Sequence, residues 1–323
     1  MRALCIFSGG LDSMLAARVA ASQGIEVLPV FFDTPFFEAS KAINSARDLN
    51  LPLNRVDITQ RHIEIVKSPR YGYGANMNPC IDCHALMARV AGEMLTSETA
   101  DFVITGEVLG QRPMSQTRRG MEIVASESGI EGLLVRPLSA KNLPPTIPEK
   151  MGWLDRDKLL AFQGRSRRPQ IRAAKKFFIT RYPAPGGGCL LTEKRFAGRL
   201  KDLLETKADP SRKELEMLKL GRHFRLGPGV RLVVGRNKGE NEALTALASF
   251  DDRMLAAAGI PGPVGVLSGT VDRADMETAL VITLAYSDAR DFEKYPVTIS
   301  HRGTKTEILT PVSNKRIFSR LLI

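Results

Sequence analysis

An alternation of short apolar runs with helix-like stretches fills the first 138 or so residues and most constrains the fold. Each apolar run is nearly continuous, which is typical of strands that are buried on both faces of a sheet. The runs are "RALCIF", "EVLPVFF", "LNRVDI", "DFVITG" and "LLVRPL". Helical patterns lie between them in "LDSMLAARVAASQG", "EASKAINSARDLN", "CHALMARVAGEML" and "SQTRRGMEIVASES". The alternation predicts an α/β fold with a doubly wound parallel sheet.

Two further regions follow. The prolines of "LPPTIP", residues 143–148, cannot continue a helix or a central strand and predict a linker or domain edge. Basic helices are predicted over residues 155–180 and again from about Glu193. Later runs alternate apolar and polar residues and predict a small α+β domain: "HFRLGPGVRLVVG", "TALVITLAYS", "YPVTISHRG" and "TEILTPV". We therefore predict domains at 1–142, 143–220 (basic, mainly helical, with Cys189) and 221–323.

The positive charge is regional. The chain carries a formal charge of +11, yet the span Arg156 to Arg236 alone holds 21 Lys and Arg against 7 Asp and Glu. A solvated helix face explains any single basic run. An excess of this size over one span instead attracts polyanions and favours an RNA partner.

Composition excludes several classes of protein. No apolar run approaches the ~18 residues that a membrane-spanning helix needs, and the opening run is too short for a signal peptide. We therefore expect a cytoplasmic protein that has no membrane partner. Four cysteines are too few for a disulfide framework in 323 residues, so those in motifs are candidates for catalysis or metal binding. Cys5 lies inside the first strand run and is predicted to be a small core residue.

The turn after the first strand run reads "SGGLDS". In an open α/β sheet this turn offers backbone N–H groups and a helix dipole to phosphate, and its glycines let the anion approach closely. The stretch resembles the PP-loop of the ATP pyrophosphatases, which cleave ATP between the α and β phosphates. The resemblance implies that pyrophosphate is held by Ser8, Gly9, Gly10, Leu11, Asp12 and Ser13, and that Asp12 helps to position Mg²⁺. It also places Asp33 near the adenosine; a helix N-cap is the alternative role for that residue.

Cys80, Cys83 and Cys189 each stand at or just before a predicted helix start, where a thiol's pKa is lowered. The segments "NPCIDCH", "ADFVITGE" and "GGCLLTEKRFAGRLKDLL" resemble those of bacterial tRNA 2-thiouridylases, in which two distant cysteines meet. By that resemblance Cys83 and Cys189 deliver sulfur to an adenylated uridine. "TGEVLGQRPMSQ" resembles the tRNA 4-thiouridine synthetases and implies that Gly106 and Gln111 line the site.

The presence of both Cys80 and Cys83 departs from the 2-thiouridylase pattern and leaves three alternatives. Three thiolates on Cys80, Cys83 and Cys189 could hold a [4Fe-4S] cluster, as in the iron–sulfur-dependent tRNA thiolases that the arrangement resembles. Cys83 could instead carry a persulfide that Cys189 resolves as a disulfide. Finally, the three cysteines and His84 could form a closed zinc site.

The C-terminal stretch "FRLGPGVRLVVGRNKGENEALTAL" resembles the NFACT-R domain, which is associated with RNA binding. A generic α+β domain that forms a homodimer is the alternative. Together these features predict an ATP-dependent tRNA sulfur transferase whose partners are tRNA and a sulfur donor, either a protein or sulfide. A PP-loop enzyme that acts on a small molecule is the main alternative, but it leaves the basic span without a role. His223 and His301 have no partner motif, and we expect them to be ordinary surface or turn residues.

Overall fold

The computed structural model describes residues 1–184, 189–290 and 293–323. The chain divides into two compact units, Met1–Thr192 and Glu193–Ile323. The boundary between these units lies near residue 192, so the basic segment 143–220 is shared between them. The predicted division into domains at 1–142, 143–220 and 221–323 stays a prediction. The role of the basic segment as a functional segment also stays a prediction.

The first unit is built on a five-stranded parallel sheet. Its strands are β1 (Arg2–Ile6), β2 (Glu26–Asp33), β3 (Asn54–Asp57), β4 (Phe102–Thr105) and β5 (Leu134–Val135). They lie in the order β3-β2-β1-β4-β5, and every neighbouring pair is parallel. The strands coincide with the five apolar runs, so the prediction of an α/β fold is confirmed.

Helices cover both faces of this sheet. They are α1 (Leu11–Ala21), α2 (Ala39–Asp48), α3 (Thr59–Lys67), α4 (Cys80–Glu93), α5 (Arg118–Ser128), α6 (Ile147–Lys150) and α7 (Arg168–Lys176). Residues Ala3 and Cys5 of β1 pack into a core with α1, α2 and α7, whereas Leu4 points into a second core with α4 and α5. Because successive strand residues face opposite sides, the sheet is doubly wound as predicted. Cys5 is fully buried, as expected of a core residue.

The segment after the sheet folds back onto the first unit. Thr146 and Glu149 form a capping box that starts α6, with Pro148 in the first turn, so the proline-rich stretch begins a helix. Ala174 and Ile179 join the same apolar core as β1 and α1. Burial of these side chains explains why residues 143–192 belong to the first unit although their charge resembles that of the following segment.

The second unit is a six-stranded antiparallel sheet with helices. Its strands are β6 (Arg222–Gly227), β7 (Val230–Val234), β8 (Arg253–Ala257), β9 (Val264–Ser268), β10 (Lys294–His301) and β11 (Thr304–Pro311), in the order β11-β10-β8-β9-β7-β6. The helices are α8 (Lys194–Thr206), α9 (Arg212–Met217), α10 (Lys238–Leu247) and α11 (Arg273–Ala285). This architecture confirms the predicted α+β class.

One run in this unit differs from its sequence pattern. "TALVITLAYS", which we grouped with the strand-like runs, lies largely in α11. Asp272 and Asp275 form a capping box at the start of that helix, and this local signal precedes the apolar run. Side chains of α11 pack on one face of the sheet, against Phe224 and Leu232, while Leu244 of α10 packs on the other face.

Short 3₁₀ turns complete the description: Glu131–Leu133, Ala140–Asn142, Arg156–Lys158, Leu190–Thr192 and Lys315–Leu321. Within the described ranges, no helix combines the length and the apolar character that crossing a bilayer requires.

Candidate active site

The site lies at the point in the first sheet where the order of the strands reverses. The chain proceeds from β1 outward to β2 and β3 and then returns to place β4 on the other side of β1. A crevice opens at such a point beyond the carboxyl ends of the two central strands. The loop after β1 and the residues after β4 meet there, since a Cβ on Gly106 would lie 2.5 Å from the backbone nitrogen of Ser13.

The loop Ser8–Ser13 has a fixed backbone. Gly9 has φ +75°, and a Cβ there would lie 2.5 Å from the backbone carbonyl of Lys41, so only glycine fits. The Gly9 carbonyl accepts a 2.8 Å hydrogen bond from the Ser45 hydroxyl, and the Gly10 carbonyl accepts one of 2.8 Å from Ser13 Oγ. The side chain of Leu11 is buried and anchors α1. The first N–H groups of α1 are thereby presented to an anion.

Asp12 has one carboxylate oxygen held and one without a partner among the described residues. Its Oδ2 accepts a 2.8 Å hydrogen bond from Gln111 Nε2, while the buried Oδ1 accepts none. Burial raises the pKa of Asp12, and Gln111, Arg167 and Arg112 act in the opposite direction. A buried carboxylate oxygen without a hydrogen bond is a suitable ligand for a hard cation such as Mg²⁺.

Three residues at this crevice were missed by sequence reasoning. Gln170 of α7 donates a 3.0 Å hydrogen bond to Gln111 Oε1, which orients the Gln111 amide toward Asp12. Arg112 and Arg167 are close enough to lower the pKa of Asp12, so they bring positive charge to the place where phosphate would bind. The sequence showed only that Gln170 and Arg167 belong to a basic stretch; the folding of α7 onto α1 brings them here.

Asp33 ends β2 at the same edge of the sheet. Arg55 Nη2 donates to its Oδ2 at 2.5 Å. The alternative role of helix N-cap is wrong, because the cap residue of α2 is Glu38. The contact with adenosine stays a prediction.

The structure brings Cys80, Cys83 and Cys189 into one neighbourhood. Cys80 and Cys83 lie in the first turn of α4, and Cys189 lies just before the 3₁₀ turn Leu190–Thr192. Burial raises the pKa of the Cys83 thiol, and negative charge on Cys189 or Cys80 would raise it further, so both of these thiols lie near Cys83. Asn76 Nδ2 donates to the Thr192 carbonyl at 2.7 Å and holds the two segments together.

Cys80 contacts His84, which in turn contacts Glu107. Sequence analysis did not predict these contacts. Burial raises the pKa of Cys80, but hydrogen bonds and charge from His84 and a contact with Ser115 outweigh burial and lower the pKa to about 7. For His84, burial favours the neutral ring, while Cys80 and Glu107 raise its pKa to about 10. His84 Nδ1 lies 2.8 Å from Glu107 Oε1. The pair therefore favours a thiolate and an imidazolium.

Glu107 also forms an ion pair with Arg136. Arg136 Nε donates to Glu107 Oε2 at 2.8 Å, and both side chains are buried. Burial raises the pKa of Glu107, but Arg136 and His84 outweigh that effect and bring it to about 2. Glu107 belongs to the quoted "ADFVITGE", whereas Arg136 follows β5, so no local pattern linked the two.

The described residues do not form a preorganised metal site. In the part of the chain that the structure describes, no three His, Cys, Asp or Glu side chains are arranged around a single metal ion, so the geometry supports neither the closed zinc site nor a cluster held by three thiolates. The assignment of Cys80, Cys83 and Cys189 as ligands of an iron–sulfur cluster therefore stays a prediction.

Two protein-family models match separate parts of the chain. Residues 1–142 match the family model described as thiamine biosynthesis protein (ThiI). The region that forms the first sheet is therefore similar to the ThiI family. Residues 221–320 match the model described as NFACT protein RNA binding domain. The resemblances to the PP-loop tRNA-thiolating enzymes and to NFACT-R are confirmed.

Curated relatives share the first region. The chain is 32% identical over 146 residues to the tRNA sulfurtransferase of Desulfurococcus amylolyticus, a match that covers 42% of this chain and 29% of that protein. It is 33% identical over 124 residues to the probable tRNA sulfurtransferase of Methanosarcina mazei, covering 36% and 30% of the two chains. The matched part thus spans under a third of these relatives.

A solved structure of a 4-thiouridine synthetase–RNA complex with bound ATP is also similar, with a TM-score of 0.35 and 21% identity. The similarity covers 55% of this chain and 51% of that chain.

Proposed function

We propose that the protein is an ATP-dependent tRNA sulfur transferase that replaces a uridine carbonyl oxygen with sulfur. The observation that carries this proposal is that Gly106 and Glu107, which are consecutive in the sequence, contact the phosphate loop and the residues around the cysteines, respectively. Gly106 packs against the backbone of Asp12 and Ser13, and Glu107 contacts His84, which contacts Cys80. The loop that would activate the uridine and the cysteines that would carry sulfur are thus linked, and this link supports a two-step thiolation.

The first step is adenylation. Ser8, Gly9, Gly10, Leu11 and Ser13 would hold the pyrophosphate portion of ATP, with Asp33 near the adenosine. The uridine oxygen attacks the α-phosphorus, the bond to the β-phosphate oxygen breaks, and pyrophosphate leaves. Asp12 would hold Mg²⁺ through its free Oδ1, while Gln111 keeps its Oδ2 in place. The ion would stabilise the negative charge of the departing group.

In the second step, sulfur attacks the activated carbon and AMP leaves with the original oxygen. We propose that Cys80, Cys83 and Cys189 hold a [4Fe-4S] cluster; when bound, it would supply an iron that carries sulfide from a donor protein or from free sulfide. The lowered pKa of Cys80 supports a thiolate ligand. A Cys83 persulfide resolved by Cys189 is the alternative. Burial raises the pKa of Cys83 and disfavours the thiolate that either carrier needs, so this pKa does not separate the two.

The substrate would be tRNA, bound in part by the second unit, and the reaction would take place in the cytoplasm, where tRNA is modified. The match of residues 221–320 to an RNA-binding family supports this assignment. A homodimer formed by the second unit is the competing role for it.

Nucleoside mass spectrometry of tRNA tests the reaction. A strain that lacks the protein should lose one thionucleoside, and wild-type protein should restore it whereas Cys83→Ser should not. Cys5→Ser is the matched control, because Cys5 is a buried cysteine on β1 outside the cysteine group, and it should restore the nucleoside. An unchanged inventory would favour a PP-loop enzyme that acts on a small molecule.

Iron analysis separates the two sulfur carriers. Anaerobically purified protein should contain about four iron atoms per chain if the cluster is present. Serine at Cys80, Cys83 or Cys189 should lower that content, and serine at Cys5 should not. Iron-free protein that retains thiolation activity would favour the persulfide.

A further inference from the structure

An open groove of about 610 Å³ lies within the second unit, and none of the residues assigned above lines it. The start of α10, the end of α11 and the 3₁₀ turn Lys315–Leu321 form its walls. Four cationic residues line it, namely Arg222, Arg236, Lys238 and Lys315, together with Tyr286 and one acidic residue, Asp288. We call it the Tyr286 groove.

Two of these cations are held over an aromatic ring. The guanidinium carbon of Arg222 lies 4.6 Å from the ring centroid of Tyr286, and Lys315 Nζ lies 5.9 Å from it. Neither has an ion pair with a carboxylate in the part of the chain that the structure describes. A cation over an aromatic face keeps its charge and its donors available to a second anionic partner.

Several other arginines of this unit are paired with carboxylates. Arg225 and Arg231 share the carboxylate of Asp202, and Arg236, which also lines the groove, binds Glu240. Arg222 and Lys315 are not used in this way.

The walls of the groove are fixed before any ligand binds. Asn241 Oδ1 accepts a 3.1 Å hydrogen bond from the backbone N–H of Val264, and its amide donates to the Gly262 carbonyl at 3.4 Å. A Cβ on Gly235 would lie 2.1 Å from Asn241 Oδ1, so a larger residue at position 235 would displace the Asn241 side chain. The ring of Tyr286 is supported by Phe224 at 6.0 Å between centroids.

We propose that the Tyr286 groove binds the phosphodiester backbone of RNA, with phosphates at Arg222 and Lys315 and a nucleoside against the edge of Tyr286. This inference rests on the proposed RNA partner and locates its contact surface. Cations beside an aromatic ring are the common means of holding single-stranded RNA without reading its sequence. All of the residues concerned lie in the region that matches the RNA-binding family.

Binding of the full chain to a fluorescent oligouridine and to a transcribed tRNA, measured by anisotropy across a salt series, tests the groove. We expect Arg222→Gln/Lys315→Gln to weaken binding at least about 10-fold and to reduce the slope of log affinity against log salt by about 1.4, since two phosphate contacts are lost. The matched control Lys294→Gln/Lys305→Gln removes the same charge from exposed positions of β10 and β11 outside the groove. It should change affinity less than 2-fold. Melting temperatures of both variants verify that they fold.

Photocrosslinking to 4-thiouridine-labelled RNA, followed by peptide mass spectrometry, locates the contact independently and should label Tyr286. If wild-type protein binds RNA but the groove and control variants weaken binding equally, or crosslinks fall outside the groove, the inference is wrong while the proposed function stands. If wild-type protein binds no RNA at all, the tRNA substrate itself is wrong, and the groove assignment with it.

Discussion

At the scale of single residues, Cys80 and Cys83 show how position within one helical turn decides chemistry. Both lie in the first turn of α4, where the helix dipole favours a thiolate. Cys80 contacts Ser115 and His84, and its pKa is lowered to about 7, whereas burial raises the pKa of Cys83. The side chains that surround each thiol therefore outweigh the dipole they share.

Alkylation of the reduced, metal-free protein should reveal this difference. The thiolate is the reactive form, so iodoacetamide should modify Cys80 at a rate that rises with pH through about 7, while Cys5, whose pKa burial raises to about 12, stays unmodified. His84→Asn should move the midpoint for Cys80 up toward the ordinary value of 9.0. Peptide mass spectrometry measures the rates; a midpoint that does not move would show that His84 does not activate the thiol.

The buried pair of Glu107 and Arg136 should matter for stability. Glu107→Gln leaves the buried guanidinium without its counter-charge and should lower the free energy of unfolding by about 3 kcal/mol at neutral pH. The pKa of Glu107 is about 2 in the folded protein, below its ordinary 4.5. The ionised Glu107 therefore stabilises the protein fully above the unfolded-state pKa, and this stabilisation is lost as pH falls through the folded-state pKa. The free energies of unfolding of wild type and Glu107→Gln should become equal in acid.

Urea unfolding at several pH values measures the effect of Glu107→Gln. Glu93→Gln is the control, since Glu93 binds Arg61 at the surface, and it should cost less than about 1 kcal/mol. Equal losses from the two substitutions would contradict the importance of burial.

At the scale of elements, the end of β4 organises the site. The strand delivers Gly106 to the phosphate loop and Glu107 to the cysteines, because successive residues leave the strand toward different neighbours. The capping of α1 by Gly10 and the burial of Leu11 fix the other side of the crevice. A small displacement of β4 against α1 would thus alter both halves of the site.

Gly106→Ala should weaken ATP binding. The added Cβ would lie 2.5 Å from Ser13 N and 2.6 Å from the carbonyl carbon of Asp12, both backbone atoms that cannot rotate away. The start of α1 must move, and we expect at least about a 10-fold loss of affinity by calorimetry, about 1.4 kcal/mol. Gly198→Ala in α8, where a Cβ meets nothing within 4 Å, should leave ATP binding unchanged. Unaltered binding by Gly106→Ala would show that ATP does not use this loop.

At the scale of the whole molecule, each unit has its own apolar core. Phe224, Leu232 and Leu280 form the centre of the second unit. Three arginines between Arg156 and Arg236 are also engaged within the second unit, since Arg199 donates to the carbonyls of Leu218 and Gly221, and Arg225 and Arg231 share Asp202. The donors of these three side chains are therefore less available to RNA.

A fragment of residues 193–323 should fold independently. Because its core is internal to the unit, we expect a cooperative thermal transition and a circular dichroism spectrum of mixed helix and strand. Leu232→Ala, which removes a fully buried side chain, should lower the free energy of unfolding by about 2 to 5 kcal/mol. Exposed Leu309→Ala is its control and should have little effect. A fragment without a cooperative transition would show that the second unit depends on the first.

The sequence by itself determined the elements and the local motifs. Burial on both faces requires continuous apolar runs, and a phosphate-binding turn requires glycines, so the five strands and the loop at Ser8–Ser13 could be predicted from neighbouring residues alone. The tertiary structure decided which distant residues meet. Gln170 reaches Gln111, and Arg136 reaches Glu107, only because α7 and β5 pack beside the crevice. The protonation of Cys80 likewise depends on burial and on charges brought from other elements, and no sequence spacing encodes either one.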